Sequence, residues 1–210
     1  MTPDREWFDR PVLEVAADLL GAVVQVDRPD GLVAVRITEV EAYAGAVDPG
    51  SHAFRGRTTR NAVMFGEPAR LYVYRHLGLH HCANVVTGRA GEASAVLLRA
   101  GEVIEGARTA RARRRAAGVV RSDTDLARGP ARLAVALGLT RDDDGLDLLG
   151  PGAALCVGPR PGVYLTGPRV GVSGPGRDGA AFPGRLGLPA EPTVSDYRPG
   201  VRRRARPSTR

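Results

Sequence analysis

The spacing of the hydrophobic residues predicts a helix at the start of the chain and two strands after it. Four apolar residues recur at helical spacing, namely Leu13, Ala16, Ala17 and Leu20. They predict a helix over 9–20. Apolar runs at 22–26 and 32–43 predict two strands, joined by an Arg-Pro-Asp-Gly turn in which proline and glycine suit the backbone angles.

Two carboxylates interrupt the apolar face of the second predicted strand. Side chains alternate between the faces of a strand, so six residues are expected on one side: Val33, Val35, Ile37, Glu39, Glu41 and Tyr43. A glutamate beside apolar surface loses hydration of its charged form, which raises its pKa and suits acid–base chemistry. The alternative is an exposed strand end with two solvated glutamates, and the pattern leaves both open.

A β-hairpin is predicted over 70–87, with arms at 71–74 and 79–86 and a turn at Gly78. The turn region then holds Arg75, His76 and Leu77. An apolar tip beside basic residues is typical of proteins that push a wedge into a base stack. The alternative is that Leu77 folds back onto its own hairpin.

A loop is expected over 45–60, and it carries Arg55, Arg57 and Arg60. Arginines in such a loop suit contacts with phosphate, although a solvated basic loop would have the same composition. His80 and His81 do not suit a metal site, because neighbouring strand residues point to opposite faces.

The second half begins with an apolar strand over 93–99 that ends in Arg99. A buried arginine needs an anionic partner, and Glu41 or Glu39 is the expected one. A helix is predicted over 102–117, and a short one over 131–137 that starts after Gly129-Pro130. Arg132 stands at the start of that short helix, where free N–H groups suit a phosphate.

The overall charge favours a polyanionic partner. The formal net charge is +7 and the isoelectric point is about 10.3. All 30 basic residues are arginine. A genome with biased composition would also explain the positive charge, without any polyanionic partner. With no lysine side chain available, a Schiff-base mechanism is disfavoured and attack by water is expected.

The remaining composition restricts the class of protein. Cys82 and Cys156 form no CxxC motif, so neither a disulfide framework nor a zinc site is expected. The N-terminus lacks a signal peptide pattern and no apolar run is long enough for a bilayer, so we expect a cytoplasmic protein without membrane attachment.

Several separated segments resemble one known family. TEVEAYAG, SHAFRGRTTRNAVMF, LYVYRHLGLHHCANVV, AVLLRA, GPARLAVALGL and PRVGV occur in the order found in bacterial alkyladenine (3-methyladenine) DNA glycosylases. The resemblance covers about 11–196. It implies a single α+β domain over 1–199, with a curved, mainly antiparallel sheet, peripheral helices and a projecting β-hairpin. A basic tail, 200–210, is expected to be disordered and to add non-specific affinity for DNA.

The resemblance also implies an activity. Such enzymes flip alkylated purines out of duplex DNA and hydrolyse the N-glycosidic bond, leaving an abasic site. Glu41 would be the general base that activates a water, which Arg99 and the backbone carbonyl of Val170 would help to hold. No metal or organic cofactor is implied, and the protein would act on damaged duplex DNA as a monomer associated with the nucleoid.

Further residues receive roles from the resemblance. Asn84 would lie where the family rejects the exocyclic amine of guanine. The base pocket as a whole would be lined by Tyr43, His52, Tyr74, Asn84 and Met64. The contacts with DNA would be made by Leu77, His76, Arg75, Arg55, Arg57, Arg60 and Arg132.

One departure concerns the hairpin tip, where well-known members of the family place a tyrosine and this chain has Leu77. Leucine fills space but stacks less well on bases than an aromatic ring does. Residues 182–188 also match the family poorly, which leaves one wall of the pocket unassigned. Two rival functions remain open: a lesion-sensing or general DNA-binding protein without turnover, and an RNA-binding or RNA-modifying protein.

Overall fold

An open antiparallel sheet of eight strands organises the fold in the computed structural model, which describes residues 1–200. The strands are β1 (Val23–Val26), β2 (Val33–Tyr43), β3 (Leu71–His76), β4 (His80–Thr87), β5 (Ser94–Glu105), β6 (Ala153–Cys156), β7 (Leu165–Gly167) and β8 (Arg185–Gly187). The helices are α1 (Val12–Leu19), α2 (Ala107–Ala117) and α3 (Pro130–Leu137). This confirms the predicted single-domain α+β class, whereas the predicted basic tail lies, from 201 onward, outside the described residues.

Strand β2 lies at the centre of the sheet. The strand order is β3-β4-β5-β2-β1-β6, and β8 pairs with both β2 and β7. The first half of β2 pairs with β1 and its second half with β8, while β5 follows β2 along its whole length. Residues near the end of β2 are therefore surrounded by backbone on both sides, which gives their side chains a fixed position.

The helices cover one face of the sheet and form the main core with it. Val15 and Leu19 of α1, Ala110 of α2, and Leu133 and Leu137 of α3 are fully buried there. Burying one large apolar side chain contributes roughly 1.5–3 kcal/mol, so the packing on this face stabilises the fold substantially. The opposite face carries a smaller cluster that includes Met64, and this leaves room on that side for a cavity.

A β-bulge changes the side-chain alternation of β2 and corrects the sequence prediction. The pairing with β5 shifts between Ile37 and Glu39 and again between Glu39 and Val40. After the bulge, Val40 and Ala42 continue the apolar row into the main core. The predicted single face of six residues is therefore wrong, because the bulge turns Glu39, Glu41 and Tyr43 away from that core.

The helix predicted from residue 102 begins later. Strand β5 continues to Glu105, which pairs with Ala34, and α2 starts only after Gly106. Gly106 has φ +71°, and a Cβ there would lie 2.0 Å from the carbonyl oxygen of Leu32. Pairing with the long central strand thus outweighs the local helical pattern, and glycine permits the sharp turn that follows.

The hairpin forms as predicted, with a shorter loop. Arg75 and His76 belong to β3, and His76 pairs directly with His80. Only Leu77, Gly78 and Leu79 form the tip. Leu77 is 82% exposed, so the alternative in which it folds back onto its hairpin is wrong.

Candidate active site

A cavity of about 420 Å³ opens on the face of the sheet opposite the main core. Strands β2, β3, β4 and β5 contribute one wall, and the segment 170–173 contributes another. The residues that line it are Glu41, Tyr43, Pro49, Gly50, His52, Met64, Tyr72, Tyr74, His76, Cys82, Asn84, Leu97, Arg99, Pro130, Val170, Gly171, Val172 and Ser173. Aromatic rings, one carboxylate and one guanidinium thus converge on a space that suits a planar ligand.

Glu41 is the fully buried carboxylate of this cavity. The amide of Val170 donates to its Oε1 at 2.6 Å, and the hydroxyl of Tyr43 donates to its Oε2 at 2.8 Å. Nη1 of Arg99 lies 3.3 Å from Oε1. These contacts fix the carboxylate from three directions, and Tyr43 supplies one of the two hydrogen bonds that Oε2 can accept.

Burial raises the pKa of Glu41, because desolvation penalises its charged form. Arg99 and the donors Val170 and Tyr43 act in the opposite direction, while the nearby Glu39 adds to the increase. A carboxylate with a raised pKa is a stronger base than an exposed one once it is ionised, and Arg99, Val170 and Tyr43 favour its ionised form.

Arg99 contacts both glutamates, whereas the sequence predicted one or the other as its partner. Its Nε donates to Oε1 of Glu39 at 3.2 Å, while its Nη1 faces Glu41. Glu39 is also fully buried and accepts hydrogen bonds from Arg185 at 2.6 Å and from the amide of Ser195 at 2.9 Å. Both carboxylates therefore have partners, and the exposed-strand alternative is wrong.

Four rings form the aromatic wall. Tyr72 and Tyr74 stack with centroids 5.4 Å apart, and His52 meets Tyr74 edge-on at 4.5 Å. Nδ1 of His52 lies 3.1 Å from the hydroxyl of Tyr72. Desolvation, with the charge of Arg60 nearby, lowers the pKa of His52, so its imidazole is neutral near pH 7. Tyr43 faces the same space from β2.

Comparison with known proteins identifies the family. Residues 6–191 match the methylpurine-DNA glycosylase family. The chain belongs to this family. It is 57% identical over 198 residues to a provisionally named 3-methyladenine DNA glycosylase of Leifsonia xyli, covering 93% of this chain and 92% of that protein. A provisionally named 3-methyladenine DNA glycosylase of Streptomyces avermitilis is 54% identical over 207 residues, with 96% and 94% covered.

The fold of this methylpurine-DNA glycosylase family member brings nine of the sequence-predicted residues together. Each of the following lines the cavity: Glu41, Arg99, Val170, Tyr43, His52, Tyr74, Asn84, Met64 and His76. Val170 contacts Glu41 through its amide N–H, a contact that the sequence did not predict. Nδ2 of Asn84 donates to the carbonyl of Tyr72 at 3.1 Å, which fixes the amide against the aromatic wall.

The other predicted residues lie outside the cavity lining. Arg55, Arg57, Arg60 and Arg75 are exposed, and the guanidinium of Arg60 lies 5.6 Å from the ring of Tyr74. Arg132 is partly exposed at the start of α3, where it pairs with Asp125. These side chains are therefore accessible to a large anionic ligand.

Asp48 and Arg169 lie directly behind the cavity, and the sequence did not indicate that either residue belongs to the site. They form an ion pair in which both side chains are almost fully buried. In the sequence, Asp48 belongs to the loop predicted over 45–60 and Arg169 to the PRVGV segment. A buried arginine demands a carboxylate, but the sequence does not reveal which one lies 121 residues away.

No helix within residues 1–200 is long and apolar enough to cross a membrane. In the same part of the chain, no group of three or more histidine, cysteine or acidic side chains is arranged to hold a metal ion.

Proposed function

We propose that this protein is a DNA-3-methyladenine glycosylase that flips alkylated purines out of duplex DNA and hydrolyses their N-glycosidic bond. The observation that carries the proposal is the buried Glu41 carboxylate, held by Arg99, Val170 and Tyr43 in a cavity with aromatic walls. Membership of the methylpurine-DNA glycosylase family supports the same reaction. The domain would be 1–199, acting as a monomer.

Glu41 is proposed to act as the general base. A water bound at the open side of Oε2 gives its proton to Glu41 while its oxygen bonds to C1′ of the flipped nucleotide. The bond between C1′ and the purine nitrogen breaks, and its electron pair moves onto the base. For a cationic alkylpurine this neutralises the base, so the leaving group needs no acid, and the product is an abasic site.

The aromatic wall suits a flat cationic base. Electron-rich faces attract such a cation by roughly 0.5–2 kcal/mol per contact. Tyr43, Tyr74 and the neutral imidazole of His52 supply these faces, and a neutral His52 avoids charge repulsion with the ligand. Asn84 would face the edge of the base, where it would reject the exocyclic amine of guanine. Met64 would pack beside the flipped nucleotide.

Binding to the duplex is proposed to involve the hairpin and the surrounding arginines. The exposed Leu77 would fill the gap left by the flipped base, flanked by Arg75 and His76. The phosphates would be contacted by Arg55, Arg57, Arg60 and Arg132. The formal net charge of +7 supports binding to a polyanion such as duplex DNA.

Release of 3-methyladenine from a methylated duplex tests the proposal, with wild type measured beside Glu41→Gln. The amide keeps the size of the side chain but cannot accept the proton, so we expect a loss of release of at least about 100-fold with lesion binding retained. Glu102→Gln is the matched control, because Glu102 pairs with Arg36 on the surface. Equal release from Glu41→Gln would overturn the role of Glu41.

Two further outcomes separate the rivals. Binding of lesion DNA without release by the wild type would favour the lesion-sensing protein, and stronger competition by RNA than by duplex DNA would favour an RNA ligand. Cleavage of abasic DNA through an intermediate that borohydride traps would contradict attack by water, because only an amine forms such an adduct.

A further inference from the structure

We infer that the buried Asp48–Arg169 ion pair determines specificity: Asp48 cancels the charge of a guanidinium behind Tyr43 and so permits cationic purines to stack there. The inference rests on the proposed function and deepens it, because it assigns the preference for charged alkylpurines to two residues outside the cavity lining.

The guanidinium of Arg169 lies against the back of the aromatic wall. Its Cζ is 4.5 Å from the centroid of the Tyr43 ring and 5.7 Å from that of Phe182. The side chain of Arg169 is 1% exposed. Tyr43 lines the cavity, and Arg169 is not part of the lining. The ring of Tyr43 therefore separates the guanidinium from the space that a flipped base would occupy.

Asp48 neutralises this guanidinium through two contacts. Nη2 of Arg169 donates to Oδ1 of Asp48 at 2.7 Å, and Nη1 donates to Oδ2. Arg169 also donates to the carbonyls of Ala42 at 3.0 Å and Gly176 at 2.9 Å. Its Nε is buried without a hydrogen-bond partner among the described residues. The carboxylate of Asp48 is thus the anion that compensates a cation shielded from solvent.

Asp48 also holds the loop that forms part of the cavity wall. Its Oδ1 accepts the amide of Gly50 at 2.8 Å, and its Oδ2 accepts the amide of Ala44 at 3.1 Å. Asn at position 48 keeps one acceptor oxygen and nearly the same shape. Asp48→Asn therefore removes the negative charge while retaining part of the loop support, which allows charge and structure to be tested separately.

An unpaired guanidinium behind Tyr43 would act differently on two classes of lesion. It would repel a cationic base on the other side of the ring through a poorly screened region. A neutral base has no net charge and would be affected far less. Any effect on Glu41 or on the loop would reach both classes alike. The ratio of cationic to neutral lesion processing thus isolates the charge effect.

The experiment uses two duplexes, one bearing a single 7-methylguanine (cationic) and one bearing a single hypoxanthine (neutral). Single-turnover base release is measured for wild type and Asp48→Asn. Dissociation constants are measured for both duplexes in the Glu41→Gln background, which requires no turnover. Asp18→Asn is the matched control, because Asp18 pairs with Arg10 and Arg160 away from the cavity.

We expect Asp48→Asn to lower the cationic-to-neutral ratio by about tenfold, in rate or in affinity. Asp48→Asn combined with Arg169→Met removes both charges and should restore the wild-type ratio, and Asp18→Asn should leave it unchanged. An equal loss for both lesions in Asp48→Asn would overturn the inference and leave the pair a structural role.

Arg169→Met provides a second test should Asp48→Asn not fold. It removes the cation, so the ratio should stay at the wild-type value or rise, and a fall would overturn the inference. Failure of the proposed function is distinguishable, because then the wild type would neither release 7-methylguanine nor bind either lesion more tightly than undamaged DNA.

Discussion

The amide of Val170 donates a hydrogen bond of 2.6 Å to Oε1 of Glu41, although 129 residues separate the two in sequence. The same oxygen faces Arg99, and the other oxygen accepts the Tyr43 hydroxyl. A carboxylate has about four acceptor positions, so one remains free on Oε2. The attacking water proposed above would donate to this position on Oε2, in keeping with the proposed role of Glu41 as the base.

Tyr43→Phe should move the acidic limb of the pH–rate profile to higher pH. The Tyr43 hydroxyl stabilises the ionised form of Glu41 and lowers its pKa, so its removal raises that pKa. Glu41 acts as a base only when ionised, and the rate at a fixed acidic pH should therefore fall. Release of 3-methyladenine between about pH 5 and 8 measures the shift. An unchanged or lower midpoint would contradict the contact between Tyr43 and Glu41.

Glu39→Gln should move the same limb to lower pH. The negative charge of Glu39 raises the pKa of Glu41, so its removal favours the ionised base. Among the described residues, Glu41 would then be the only anionic partner of Arg99. Stability should fall at the same time, by about 3–5 kcal/mol, because buried cationic groups lose their partner. The two effects are measured by the pH–rate profile and by urea unfolding.

Glu102→Gln is the control for Glu39→Gln, since that exposed glutamate also pairs with an arginine. It should leave the pH–rate profile unchanged. The free energy of unfolding should change by no more than about 1 kcal/mol. A shift of the acidic limb to higher pH in Glu39→Gln would show that Glu39 acts on Glu41 through something other than its charge.

The sequence predicted those features that depend on local spacing. The hairpin and α3 follow from the spacing of apolar residues and from the turn residues beside them. The contact of Arg99 with a glutamate follows from the need of a buried arginine for an anion. The bulge near Thr38 was not predictable, because it depends on pairing between two strands. The Asp48–Arg169 contact was missed for the same reason, since neither residue stands out in its own segment.

Arg55→Gln and Arg57→Gln should weaken binding to damaged and undamaged duplexes equally. Both side chains are exposed and neither lines the cavity, so they are expected to contact phosphate and no base. A plot of the logarithm of the binding constant against the logarithm of the salt concentration has a negative slope. Each substitution should reduce the magnitude of this slope by about 1. Titrations at several salt concentrations measure this slope. Loss of affinity for the lesion duplex alone would instead place the altered arginine at the base.

Leu77→Tyr should bind the abasic product more tightly than wild type, because an aromatic ring at the tip stacks on the neighbouring bases, worth about 1–3 kcal/mol per base. Leu77→Gly should bind the abasic product less tightly than wild type, whereas its stability should not fall. Leu77 has φ +50°, a left-handed conformation that costs leucine about 1–2 kcal/mol and glycine very little.

The glycine variant should therefore be at least as stable to urea as wild type and yet dissociate faster from abasic DNA. Such a separation would mean that the strained leucine is present for the DNA and not for the fold. Loss of both stability and affinity would instead indicate that Leu77 supports the hairpin itself, which its exposure of 82% argues against.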